Sequence, residues 1–259
     1  MISTLFSDPG FMTVTAAAVI LVGLSKGGLG GAMGFAGVPV MSLVMSPVQA
    51  AAILLPIMVL MDIVSLWSWR GYYHLPTLKA MLPGAILGIG LGWLTAALVT
   101  VAMIRLIVGV VAAVFVGRWL YQKLRHGKAL TTKPNSAAAT FWGTIAGFTS
   151  FVAHVGGPPF QMYALPLRLD QRIFTGTSVI FFAITNAVKL VPYFALGQFG
   201  VANLTLSASL IPLALLATLA GAWVVRRMRP DVFYAFSYVT VGLIAPKLIY
   251  DGILDLAMS

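Results

Sequence analysis

Apolar runs near residues 10–25, 32–45, 50–69, 80–104, 106–121, 137–153, 155–167, 173–196, 201–225 and 232–250 occupy most of this chain. Segments of that length and number cannot share one water-soluble core, so lipid must be the solvent. The composition agrees, since 60% of the 259 residues are hydrophobic and only 8% are charged. A chain whose backbone polar groups must be satisfied inside a bilayer folds as helices or as a closed barrel. Runs this long predict an all-α polytopic membrane protein and not a soluble enzyme.

The acids are Asp8, Asp62, Asp170, Asp231, Asp251 and Asp255, with no Glu, so the net charge of +10 reflects missing acids as much as added bases. Lys and Arg gather in short segments between apolar runs, as topology charges do, and no nucleic-acid-binding pattern accompanies them. Nucleic acid is therefore not an expected partner. The absence of Cys removes disulfides, iron–sulfur clusters and thiol catalysis. His74 and His126 sit among loop bases with no metal-ligand spacing around them, and no cofactor is expected. Met1 to Pro9 lacks the basic region and small-residue cleavage site of a signal peptide, so the first run is expected to stay in the mature protein.

The two halves of the chain resemble each other. One ungapped offset places Pro83 on Pro212, Ala85 on Ala214, Leu87 on Leu216, Gly92 on Gly221, Val110 on Val239, Tyr121 on Tyr250 and Arg118 on Lys247. A shorter offset lays GFAGVPVMSL (34–43) on HVGGPPFQMY (154–163). The expected organisation is a first transmembrane repeat at 1–123, a cytoplasmic linker at 124–136 and a second repeat at 137–259.

The opening limbs of each half, at about 1.5 Å per residue, just reach or fall short of a roughly 30 Å hydrocarbon core. SKGGLGG (25–31) and HVGGPP (154–159) interrupt them, so each is read as a broken hairpin that enters and leaves on one side. That arrangement gathers Arg70, Lys79, Arg118, Lys123, Arg125, Lys128, Lys133, Arg168, Arg172, Arg226, Arg227 and Arg229 on or near one face, the cytoplasmic one. Each half is then a broken Gly-rich hairpin plus three transmembrane helices, the second half is inverted, and both termini lie outside.

The Gly-rich clusters are the most informative motifs. Gly permits close approach and Pro lacks an N–H, so helices break here and leave backbone groups at membrane depth, which survives only in protein or beside a wet cavity. Half-helix N-termini at such a break would suit an anion, whereas the plainer alternative is tight packing of small residues. The candidate ligand-binding residues are Lys26, Gly27, Gly28, Gly30 and Gly31 in the first break and His154, Gly156 and Gly157 in the second. Lys26 precedes the glycines, so the cluster is not a phosphate-binding loop.

An ionisable group inside a span is a functional candidate by default. Asp62 could carry a coupling proton or neutralise Lys26 or Lys189, and neutralisation is the favoured reading. Asn186 occupies a comparable place in the second half. Thr177 and Ser178 offer hydroxyls from the run TGTSVIFFAITN, although such groups also bond to their own helix. Trp67, Trp69, Tyr72 and Tyr73 flank Arg70 as an interfacial belt would.

The paired Gly-rich turns, each leading into G-x-P (Gly37 and Pro39; Gly157 and Pro159) and later a span such as FTGTSVIFFAITNA, resemble the TauE/SafE family of sulfite exporters over nearly the whole chain. The family's hydroxyl-bearing stretch is matched by Thr177 and Ser178, while the first half offers Leu54, Leu55 and Pro56 there. The resemblance implies export of sulfite, a sulfonate or a related organic anion across a bacterial inner membrane, with protons as a candidate coupling ion. Its rivals are an anion channel built from the same residues and an intramembrane enzyme, for which one buried Asp and one buried His are a thin catalytic set. Alternating access, with a midplane site where the two Gly-rich turns meet, is the expected mechanism.

Overall fold

The structure is a computed structural model that describes residues 8–29, 34–96, 100–126 and 131–258. Its elements are helices: α1 (Pro9–Gly28), α2 (Gly37–Met41), α3 (Pro47–Ser68), α4 (Leu75–Leu94), α5 (Val101–His126), α6 (Ser136–Ala153), α7 (Gly157–Ala164), α8 (Gln171–Ala195), α9 (Val201–Arg227) and α10 (Pro230–Met258), with 3-10 turns at Gly34–Ala36 and Leu165–Leu167. Among the described residues, six helices are long and apolar enough to cross a membrane: α1, α3, α4, α8, α9 and α10. Leu94, Phe194, Leu216 and Leu243 stand exposed while Asp62, Thr177, Asn186 and Lys189 are buried. That distribution suits a lipid solvent, and the chain is an all-α polytopic membrane protein.

Helix starts follow local chemistry. Asp8 accepts from the backbone N–H groups of Gly10 and Phe11, and Pro9 fills the first turn of α1. Ser46 caps α3 ahead of Pro47, and Asn135 caps α6 through Ala138 N–H. The end of α1 differs from the expectation. Ser25-Lys26-Gly27-Gly28 continues the helix, giving 20 residues, about 30 Å at 1.5 Å per residue and enough to reach across the hydrocarbon.

By packing, the chain divides into two compact units, Met1–Tyr73 with Thr175–Arg227 and His74–Phe174 with Met228–Ser259. Each unit draws on both halves of the sequence.

In the first unit α1, α3 and α9 run parallel. Gly23 and Gly27 of α1 pack on Ala217 and Gly221 of α9, while Gln49 Nε2 reaches Asn203 Oδ1 and Ser207 Oγ donates to the Ile53 carbonyl. A Cβ on Gly27 would fall on the Thr218 carbonyl oxygen, and one on Gly221 on that of Leu24, so the two backbones touch. Helix α8 runs the other way: near its start Thr175 meets Gly28 at the end of α1, and further on Asn186 meets Asp62 of α3.

In the second unit α4 and α6 are parallel and share a similar seam. Cβ atoms on Gly84 and Gly88 would strike the carbonyls of Thr140 and Thr144, and those on Gly143 and Gly147 the carbonyls of Met81 and Ala85. The offset that lays 34–43 on 154–163 also lays Gly23 and Gly27 on Gly143 and Gly147, so one small-residue device serves both units. Helices α5 and α10 are antiparallel, Gly109 lying against Ile249 and Gly252 against Leu106.

Candidate functional site

The first unit gathers a buried charged cluster from α1, α3 and α8. Lys26 Nζ lies 2.5 Å from Asp62 Oδ1, and Asn186 Nδ2 donates to Asp62 Oδ2 at 2.6 Å. Both carboxylate oxygens are thus engaged. Lys189 is fully buried and within electrostatic reach of Lys26 and Asp62. Lys26 Nζ also sits 5.7 Å from the centroid of Phe182. Removing one member of so buried a pair strands its partner, a loss of about 3–5 kcal/mol.

Helical spacing explains the convergence. Asp62, Ser65 and Trp69 lie three and then four residues apart, on one face of α3. Thr175, Ser178, Phe182, Asn186 and Lys189 form the corresponding stripe on α8.

These stripes also finish α1. Its final carbonyls have no partner within the helix. Ser65 Oγ donates to the Lys26 carbonyl at 2.9 Å, Trp69 Nε1 to that of Gly27 at 2.6 Å, and Thr175 Oγ1 to that of Gly28 at 3.2 Å. Side chains from two other helices therefore carry α1 through its glycines. The described part of the first break presents a capped helix C-terminus.

The other candidates of this region are placed by their packing and helix register. Gly27 sits in the seam with α9, and a Cβ on Gly28 would come within 3.1 Å of both Trp69 Cζ2 and Val225 Cβ. Thr177 is buried, and Ser178 Oγ donates to Thr175 O of its own helix at 2.8 Å. Gly30 and Gly31 lie outside the described residues, as do Gly127 and Lys128 of the linker region. Trp67 is exposed, in keeping with an interfacial belt, but Trp69 is buried beneath Arg226. Arg226, a topology charge by sequence, donates from Nη2 to the Ser68 carbonyl and stacks 5.3 Å from the Trp69 ring.

His154, Gly156 and Gly157 belong to the second unit. His154 ends α6 in a left-handed conformation, φ 56°, and its Nδ1 lies 3.0 Å from the Ser150 carbonyl. A carbonyl only accepts, so Nδ1 carries its proton in this contact. Gly156 precedes α7, and Gly157 opens it, followed by Pro158 and Pro159. Two prolines remove two N–H donors from the first turn, which weakens α7 as a cradle for an anion.

Ser65, Trp69, Thr175 and Phe182 were not singled out as site residues from sequence, although the i, i+3, i+7 register from Asp62 marks the first two. The chain matches no curated protein sequence and no solved structure. The model of the family described as Sulfite exporter TauE/SafE matches residues 15–248. With six apolar helices and a family match over most of its length, the chain belongs to the sulfite exporter TauE/SafE family of membrane transporters.

Proposed function

We propose that the protein is a secondary transporter of the bacterial inner membrane that exports a small anion, sulfite or an organosulfonate, by alternating access. The anion binds at the Lys26, Asp62, Asn186 and Lys189 cluster of the first unit. The observation that carries this reading is the burial of two lysines beside a single aspartate. A membrane protein retains so costly a set where it serves a substrate or ion path. Asp62 acts as the neutralising partner of Lys26 and Asn186 holds its second oxygen.

The helix directions support inverted repeats. Helices α3 and α8, which carry Asp62 and Asn186 at comparable places in the two halves, run antiparallel. Helices α5 and α10, which carry the matched pairs Val110 and Val239 and Tyr121 and Tyr250, do so too. Equivalent helices run antiparallel when the repeat axis lies in the membrane plane and parallel when it lies along the normal.

The test is flux of sulfite, sulfonates and other oxyanions in proteoliposomes, with counterflow against trans substrate. Saturable flux with counterflow supports a carrier. Non-saturating flux without counterflow identifies a channel, and no anion flux above protein-free vesicles rejects the assignment.

A further inference from the structure

We infer that the second unit carries an oxyanion site of its own at Arg168, whose guanidinium takes a phosphate group at the headgroup level of the membrane. It shares no residue with the Lys26 cluster of the first unit.

Arg168 is built into place. It closes the 3-10 turn Leu165–Leu167 in a left-handed conformation, φ 49°, which a non-glycine residue adopts at a cost. Its backbone N–H donates to the Leu165 carbonyl at 3.2 Å, and the Tyr234 hydroxyl of α10 donates to the next carbonyl along, that of Leu169. The guanidinium then lies 4.9 Å from the Tyr234 ring and 5.8 Å from the Tyr238 ring, and Trp119 of α5 stacks on Tyr238 at 4.6 Å. All three rings are buried. They attract the charge but do not replace acceptor oxygens for its N–H groups. Arg168 Nε is buried and has no hydrogen-bond partner among the described residues.

The acids of this unit are placed elsewhere. Asp231 pairs with Arg229, Asp251 pairs with Lys247, and the exposed Asp170 accepts Arg172 N–H at 2.9 Å. Asp255 lies about 25 Å along α10 from Tyr238 at about 1.5 Å per residue. Lys79, Lys133, Arg172 and Arg229 are exposed, whereas Arg168 is half-buried.

Depth points to the ligand. The apolar stretch Pro230–Ala257 of α10 has 28 residues, about 42 Å of helix against a roughly 30 Å hydrocarbon core. Its first turns, which carry Tyr234, therefore stand at headgroup level, where lipid phosphates lie. A planar guanidinium held by its face offers its edge to two oxygens of one phosphate.

The full chain in detergent is titrated with dihexanoyl phosphatidylglycerol, with dihexanoylglycerol, which has the same chains and no phosphate, and with inorganic phosphate. Binding isotherms and melting temperatures are read for the parent, Arg168→Gln and Arg168→Lys. The parent should bind phosphatidylglycerol in preference to dihexanoylglycerol, and Arg168→Gln should weaken that binding roughly tenfold or more, the loss of a charged hydrogen bond. Arg168→Lys keeps a cation over the rings but not the fork, and should fall between the two. Should Arg168→Gln not fold, Arg168→Lys decides by the same comparison. Weakening with phosphatidylglycerol alone assigns the site to lipid, and weakening with inorganic phosphate assigns it to free oxyanions as well. A purely structural Arg168 would lower the melting temperature and leave the isotherms unchanged. The site is overturned if neither phosphate compound binds the parent, if dihexanoylglycerol matches phosphatidylglycerol, or if the folded variants bind both phosphate compounds as tightly as the parent.

Discussion

Asn186 donates its amide to Asp62 at 2.6 Å across 124 positions of sequence, joining comparable points of the two halves of the chain. The other oxygen of the same carboxylate is held by Lys26 at 2.5 Å. The carboxylate is thereby fixed on both sides, and Lys26 is tied to α3 by its ammonium as well as by its carbonyl, which accepts from Ser65. The pair is a structural unit as well as a candidate ligand set.

Breaking that unit from one side should be far worse than removing it. Lys26→Gln alone leaves a buried carboxylate with one neutral donor and is expected to lose about 3–5 kcal/mol, as is Asp62→Asn from the opposite side. The double variant should recover most of the loss. Thermal unfolding in detergent of both single variants and the double variant measures the coupling. Additive losses would show that the two groups act independently.

The glycines of α1 act through packing. Gly27→Ala places a Cβ on the Thr218 carbonyl oxygen and should be destabilising by about 1–3 kcal/mol or more, because backbone and not a flexible side chain must move. Gly90→Ala on α4 has nothing within 4 Å of the new Cβ, and it should be neutral or stabilising by about 0.5–1 kcal/mol. Equal melting temperatures for the two variants would refute the seam.

The charges inside apolar runs make the candidate cluster legible in sequence. Lys26, Asp62 and Lys189 each demanded a role because lipid offers them none. Helix starts were equally plain at Asp8-Pro9 and Ser46-Pro47. What local pattern hides is which helices meet. Gly27 and Gly28 read as a break because glycine weakens a helix on its own, yet Ser65, Trp69 and Thr175 supply partners from distant segments and the helix persists. Trp69 looked interfacial beside Arg70, while its register with Asp62 turns it inward.

The proposed inverted arrangement has a direct consequence for labelling. Gln198 and Met228 flank α9, whose 27 residues end in Arg226 and Arg227. The positive-inside rule places the Met228 end in the cytoplasm. Single Cys introduced into this naturally Cys-free chain should react with an impermeant thiol reagent from outside at Gln198 and not at Met228. Labelling at Met228 in intact cells would reverse the orientation of α9.

Trp69 links the end of α1 to Arg226, so it separates a hydrogen-bond role from a packing role. Its Nε1 donates to the Gly27 carbonyl at 2.6 Å, and its ring lies 5.3 Å below the Arg226 guanidinium. Trp69→Phe keeps an aromatic face for Arg226 but removes the donor, leaving a buried carbonyl short of a partner at a loss of about 1–3 kcal/mol. Trp69→Leu removes the aromatic face as well, adding about 0.5–1 kcal/mol for the lost cation–π contact. If the hydrogen bond secures α1, Trp69→Phe should also speed amide exchange at Leu29, whose N–H caps the helix on the Ser25 carbonyl at 3.0 Å. Melting temperatures and amide exchange together decide the matter. A Trp69→Phe protein that melts and exchanges like the parent would show that the α1 terminus is held by Ser65 and Thr175 without Trp69.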